Sequence, residues 1–194
     1  TQGIVVLGTT GEAPTITVRE RARLIEDAVL HVNGRIPVIV GAGTYSTQTT
    51  CEQIHEANCL GADACLVTTP YYNCPTQNGL YNHFYEASLI TQKPIILYNV
   101  PKRTGVDLEP YTVERLSEQS SIIGIKDATG DLKRLKRMKK SCRKDFCFLS
   151  GDDPSAYAFM KEGGDGVISV VANMIPEHIR NLCTATLMGD TSSA

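Results

Sequence analysis

A lysine at the end of an apolar run is the residue of this sequence best suited to covalent chemistry. Ile122-Ile123-Gly124-Ile125 leads directly into Lys126-Asp127. Desolvation at the end of a buried strand disfavours an ammonium and brings a neutral amine closer to pH 7. A neutral amine is what adds to a carbonyl to form a Schiff base. The structural alternative is a lysine paired with Asp127, or one snorkelling at the strand edge. Other chemistry-bearing residues follow other apolar runs. Tyr98 precedes Asn99-Val100-Pro101, where a phenol can relay a proton. Arg103, just beyond, can clamp a carboxylate with two hydrogen bonds or be a solvated loop charge. Gly8-Thr9-Thr10-Gly11-Glu12 sets two hydroxyls and backbone N–H groups between glycines, a cradle for a carboxylate or phosphate, or a turn that starts a helix. Tyr71-Tyr72-Asn73 lies between Pro70 and Pro75, where tyrosines serve packing as readily as chemistry. Gly151 can permit close backbone approach to a ligand, and Asp152 and Asp153 read as helix caps.

Several other chemistries lack their residues. Seven cysteines form no CxxC pair, so zinc ribbons and thioredoxin-like redox sites are unsupported and free thiols in a reducing compartment are expected. His55-Glu56 is followed by Asn58-Cys59, not by the second histidine of a zinc protease, and no metal site is expected. Gly41-Ala42-Gly43 opens like a dinucleotide fingerprint, but Ser46 stands where its last glycine belongs.

The elements that must position these groups alternate strictly. Apolar runs at 3–7, 36–40, 64–68, 94–98, 122–126, 146–150 and 166–170 are hydrophobic on both faces, as parallel strands covered on both sides are. Between and after them lie helical stretches at 18–31, 47–60, 77–91, 108–118, 130–141, 153–162 and 176–187. In the first, Leu24, Ile25, Ala28 and Val29 form an apolar stripe, with Arg19, Arg21 and Glu26 outside it. Gly34 and Gly61 stand where helix C-caps belong. Seven βα units in 194 residues, with no linker, fit either a (β/α)8 barrel or an open doubly wound sheet. In both, function gathers at the C-terminal ends of the strands. Composition agrees with a globular domain: 42% hydrophobic, 21% charged, 19 basic against 21 acidic residues, net charge −2. That excludes a disordered chain and gives no footprint for nucleic acid. No apolar run nears the roughly 18 residues of a membrane span. Residues 3–8 read as a strand, not as a signal peptide.

Taken together and in order, Gly8-Thr9-Thr10-Gly11-Glu12, Tyr71-Tyr72-Asn73, Tyr98-Asn99-Val100-Pro101, Arg103-Thr104-Gly105, Gly124-Ile125-Lys126 and Ser150-Gly151-Asp152 resemble the dihydrodipicolinate synthase family of class I pyruvate aldolases, relatives of the N-acetylneuraminate lyases. The resemblance implies an α/β fold, a (β/α)8 TIM barrel with a C-terminal helical extension. Against that pattern the first strand and the extension are missing, so residues 1–194 are expected to be a single barrel domain from a longer chain. It implies that Lys126 forms an imine with pyruvate and that the derived enamine attacks aspartate semialdehyde, in lysine biosynthesis. It implies that Thr9, Tyr98 and a neighbouring subunit's Tyr72 relay protons, that Thr10 binds the pyruvate carboxylate, that Arg103 holds the semialdehyde carboxylate, and that Gly151 and Ile168 line the pocket through backbone groups. No cofactor is implied beyond the lysine imine. The partners implied are the two substrates and further copies of the chain, as a dimer or a dimer of dimers, without nucleic acid or membrane. The location implied is cytoplasmic, or plastid after removal of a transit peptide. Another pyruvate-dependent aldolase, or an inert barrel fragment, are the alternatives. In regulated members lysine binds between subunits. Here the positions that would hold it are Ala13, Val18, Arg21, Tyr45 and Thr49, with Tyr71 alone retained, which implies insensitivity to lysine.

Overall fold

The computed structural model describes residues 1–190; the last four residues of the expected 1–194 domain lie outside them. Seven strands, β1 (Ile4–Val6), β2 (Val38–Gly41), β3 (Ala64–Thr68), β4 (Ile95–Asn99), β5 (Ile122–Asp127), β6 (Cys147–Ser150) and β7 (Gly166–Val167), pair in sequence order. Every pairing is parallel. The connections carry α1 (Val18–Val32), α2 (Thr47–Cys59), α3 (Gln77–Leu89), a short α4 (Pro101–Thr104), α5 (Pro110–Ser117), α6 (Leu132–Ser141) and α7 (Ala156–Lys161), and α8 (Pro176–Met188) follows β7.

The helices form where the periodicity places them, and their ends have local causes. Thr17 and Glu20 make a reciprocal capping box at the start of α1. Its left-handed C-cap is Asn33, at φ 48°, one residue before the expected Gly34. One apolar layer lies between sheet and helices. There Ile25, Ile54, Leu80, Phe84, Leu116, Leu135 and Met138 pack on Val40, Val67, Leu97, Ile122 and Ile125. Each such side chain, fully buried, contributes about 1.5–3 kcal/mol.

The other face of the sheet packs on itself. Leu66, Ile96, Tyr98 and Val100 form a second cluster with Val5, Ile39, Ile123, Leu149 and Ile168, which come from both ends of the strand order. A flat sheet could not bring the β1 and β2 residues Val5 and Ile39 together with Leu149 of β6, so the sheet curls. Its two edges face each other across a cavity of about 420 Å³ lined by Ile4, Val5, Val167, Ile168 and the α8 residues Ile179 and Cys183.

Two expectations need correction. Arg21 is not on the solvent side of α1. It is 6% exposed, and its Nε donates to Glu56 of α2 at 2.8 Å while Nη1 donates to the Gly41 carbonyl at 2.9 Å. The two bonds and the apolar stem offset part of the burial cost, although Nη2 is buried without a partner among the described protein atoms, while Leu24 is 43% exposed. The last strand is also shorter than 166–170: it ends at Val167, and the chain turns into a 3₁₀ segment at Val171–Asn173.

Candidate active site

The position of Lys126 depends on one irregularity in β5. Register shifts between Ile95 and Ile96 of β4: Ile95 pairs with Ile122, but Ile96 pairs with Gly124, leaving Ile123 as an extra residue. Side chains alternate across a sheet, so an inserted residue reverses the facing of everything after it. Ile122 and Ile125 both pack on the helices, although they are three positions apart and would face opposite sides in a regular strand. Lys126 is thereby turned to the inner face, level with its register partner Tyr98. Its Nζ lies 4.1 Å from the centre of the Tyr98 ring.

Asp127 faces the other way and does not pair with Lys126. Its Oδ2 accepts from Arg134 Nε at 3.2 Å and its Oδ1 from the Thr129 amide at 2.8 Å. Arg134 also holds Asp107 at 2.7 Å, and Asn99 joins the group at 2.8 Å from Asp107. This polar cluster locks β4, α6 and the segment before α5 behind the site. It leaves Lys126, 8% exposed, without an ion pair among the described residues. Burial pushes its amine down to about 8, against an upward pull from Asp153. A substantial neutral fraction near pH 7–8 follows.

Gly151, next after β6, is required by the same lysine. A Cβ there would stand 2.8 Å from Lys126 Cε and 2.9 Å from Ala128 Cβ. Gly124 has a parallel role one level down, where a Cβ would stand 2.5 Å from the Cys147 carbonyl oxygen.

At the C-terminal ends of β1 to β4 opens a cavity of about 330 Å³ whose lining includes Thr9, Thr68, Tyr71, Tyr98 and Arg103. Two arginines, Arg21 and Arg103, line it, and no carboxylate does. Arg103 sits on α4, which Pro101 starts and Gly105, at φ 74°, ends. It is exposed and has no ion pair among the described residues. Thr9 begins a 3₁₀ turn, Thr9–Gly11, closed by the Gly11 amide on the Gly8 carbonyl at 3.0 Å.

The remaining candidates stand apart within this chain. Thr10 is exposed on that turn and is not part of the cavity lining. Tyr72 is 91% exposed, at φ 73°, and is not part of the cavity lining of its own chain. Ile168 lines the cavity between β1 and β7, its amide donating to the Ser150 carbonyl at 2.9 Å. Of the positions that the resemblance assigns to lysine, Ala13, Val18, Arg21 and Tyr71 line the cavity with Thr9 and Arg103. Tyr45 packs edge-on against Tyr71 with ring centres 5.6 Å apart. All seven cysteines are unpaired, no group of three metal-ligating side chains occurs among the described residues, and no described helix is long and apolar enough to cross a membrane.

Lys126 lies against Tyr98, which lines the cavity together with Thr9 and Arg103. Residues 1–194 match the sequence profile of the Dihydrodipicolinate synthetase family. The chain belongs to that family. A Stutzerimonas stutzeri protein named 4-hydroxy-tetrahydrodipicolinate synthase is 51% identical over 194 residues, covering 100% of this chain and 66% of its own length. A Pseudomonas aeruginosa protein of the same name is 50% identical over the same span. The chain thus spans 66% of the length of these family relatives. Among solved structures, the dihydrodipicolinate synthase of Aquifex aeolicus superposes with a TM-score of 0.97 at 42% identity, covering 100% of this chain and 67% of that one. That of Acinetobacter baumannii, described as chloride-inhibited and complexed with pyruvate, gives a TM-score of 0.96 at 45% identity over 99% of this chain and 66% of its own.

Proposed function

We propose that this chain carries the Schiff-base centre of a 4-hydroxy-tetrahydrodipicolinate synthase, which condenses pyruvate with aspartate semialdehyde in lysine biosynthesis. In this reading the curled sheet is seven-eighths of a (β/α)8 TIM barrel, and residues 1–194 are one barrel domain of a longer chain. The observation that carries it is Lys126, turned inward by the β5 bulge, 4.1 Å from the Tyr98 ring and with its amine near 8.

The steps follow from those groups. Neutral Lys126 Nζ adds to the C2 carbonyl of pyruvate, and water leaves as the iminium forms. The iminium withdraws electrons from the methyl group, which loses a proton to give an enamine. The enamine carbon attacks the aldehyde of the second substrate, and attack of that substrate's own amine on the imine carbon cyclises the product and returns Lys126. Tyr98 and Thr9, on one cavity rim, relay the protons together with Tyr72 of a neighbouring subunit. The exposure of Tyr72 in its own chain fits a residue that acts across an interface. Thr10 receives the pyruvate carboxylate, and Gly151 and Ile168 offer backbone groups to it. Arg103 takes the carboxylate of the semialdehyde. The imine itself is the electron sink, so no metal or organic cofactor is needed. The enzyme works as a homo-oligomer in the cytoplasm, with no nucleic-acid or membrane partner. Arg21, already tied to Glu56, presents a cation where an incoming lysine would bring another, so lysine does not inhibit.

Turnover with pyruvate and aspartate semialdehyde, compared with pyruvate and N-acetylmannosamine or sugar aldehydes, tests the reading. Product only from the semialdehyde supports it. Product only from a sugar assigns the site to another pyruvate aldolase, and none from either removes the enzymatic reading.

A further inference from the structure

Asp153 lies two residues after the glycine that packs against the lysine, and one of its oxygens is buried without a partner among the described protein atoms. It opens the 3₁₀ turn Asp153–Ser155 that follows Gly151, the residue packed against Lys126 Cε. Its Oδ2 accepts two backbone N–H groups, from Val170 at 2.9 Å and Val171 at 3.1 Å. Those bonds end the path of β7 and fix the turn that follows Ile168. Its Oδ1 is buried and has no hydrogen-bond partner among the described protein atoms. A carboxylate oxygen left without a donor is costly unless a positive charge lies within its field. The neighbouring Asp152 gives no such signal, since its carboxylate caps the same turn through the Ser155 amide and hydroxyl.

We propose that Asp153 is a positioning residue for Lys126: one carboxylate oxygen ties the β7 turn to the site, and the other keeps a negative charge toward the lysine that stabilises its ammonium and iminium states. This rests on the Schiff-base reading above and adds to it the source of the counter-charge. The other groups around the lysine do not supply one. Tyr98 of β4 presents a ring face, and Asp127 is turned away and bonded to Arg134. Asp153 is the group whose charge opposes the effect of burial on Lys126. The iminium carries a proton on nitrogen that burial tends to expel, so the same carboxylate keeps the imine protonated as well as the amine.

The test compares the wild-type protein with Asp153→Asn, in which the side-chain carbonyl can still accept from the Val170 amide. Competitive labelling with trace acetic anhydride across pH 6–10, read at the Lys126 peptide by mass spectrometry, titrates the amine without any substrate. The expected result is a midpoint lower by about one unit, so labelling at pH 7 rises about fivefold. Trapping with pyruvate and cyanoborohydride is then expected to show a pH optimum moved to lower pH and a lower yield of adduct at saturating pyruvate. A structural role alone would change yield but leave the Lys126 midpoint where it is. An unmoved midpoint in folded Asp153→Asn overturns the proposal. Should that variant lose its circular-dichroism signature, Asp153→Ser carries the same readout. Failure of the wild-type protein to form any pyruvate adduct, with the midpoint still shifted in the variant, rejects the Schiff-base reading and not the counter-charge.

Discussion

Lys126 and Tyr98 are register partners on adjacent parallel strands, and the lysine ammonium sits over the tyrosine ring at 4.1 Å. The contact is possible because Ile123 is an extra residue in β5. A cation over an aromatic face contributes on the order of 1–2 kcal/mol when desolvated. It offsets part of the cost of burying the charge and leaves the rest as an amine near 8.

That residual cost is measurable as stability. The Lys126 amine titrates near 8 in the folded chain against an ordinary value of 10.5. Between those values the unfolded chain binds the extra proton, so the lysine's contribution to stability rises with pH through this window and is least favourable below pH 8. Lys126→Met is therefore expected to raise stability at pH 7 by about 1–3 kcal/mol. The gain should shrink toward pH 10.5. Urea unfolding of both proteins across this range checks it, because other titrating groups cancel in the difference. A methionine variant less stable than wild type at pH 7 would contradict the burial cost.

Gly151→Ala is expected to disturb the lysine directly. The added methyl, 2.8 Å from Lys126 Cε, must push the side chain from its place between β4 and β6. A misplacement on the order of 1 Å can cost about 100-fold in rate. Pyruvate trapping at Lys126 should fall by that order, while the melting temperature changes by only a few degrees. Equal trapping in both proteins would show that the close approach has no functional part.

Arg103→Ala should affect the second substrate more than pyruvate. Charge-assisted hydrogen bonds of about 1.5–3 kcal/mol correspond to roughly 10- to 150-fold in kcat/KM. The residue is exposed on a four-residue helix, so the fold should survive. Steady-state kinetics with both substrates varied decides it, and an equal loss for both would reject the clamp.

Away from the site, His83 predicts an acid-sensitive step. It is 4% exposed, Nδ1 is bonded to Thr47 Oγ1 at 2.9 Å, and Nε2 has no partner among the described protein atoms. Burial lowers its pKa from 6.5 to about 4. The unfolded chain takes up a proton that the folded chain refuses between those values, so stability is present above pH 6.5 and is lost as pH falls toward 4, by about 3 kcal/mol in all. His83→Gln should flatten that part of the pH–stability curve. An unchanged slope would place the acid sensitivity elsewhere.

Most of what positions the site was readable before the structure, because parallel strands and amphipathic helices leave strong periodic signals. All seven strands and all seven expected helices occur, within a few residues at their ends. Lys126, Tyr98, Gly151 and Arg103 stand at or just after the C-terminal ends of β4, β5 and β6, where such folds gather chemistry. The facing of Lys126 was not readable, since one bulged residue reverses it and the run Ile122-Ile123-Gly124-Ile125 is apolar on both faces. Gly124 is the trace of that bulge in the sequence. The burial of Arg21 was hidden because its partner, Glu56, is on another helix. The short β7 and the role of Asp153 were hidden for the same reason: Val170 and Val171 look like strand residues, but their amides are taken by a carboxylate seventeen and eighteen positions earlier.

The most direct test of the account is reduction of the protein with sodium borohydride in the presence of pyruvate, followed by peptide mapping. One lactyl-sized adduct per chain is expected, on Lys126, and none in Lys126→Met. An adduct on a different lysine, or an active preparation that carries none, would contradict it.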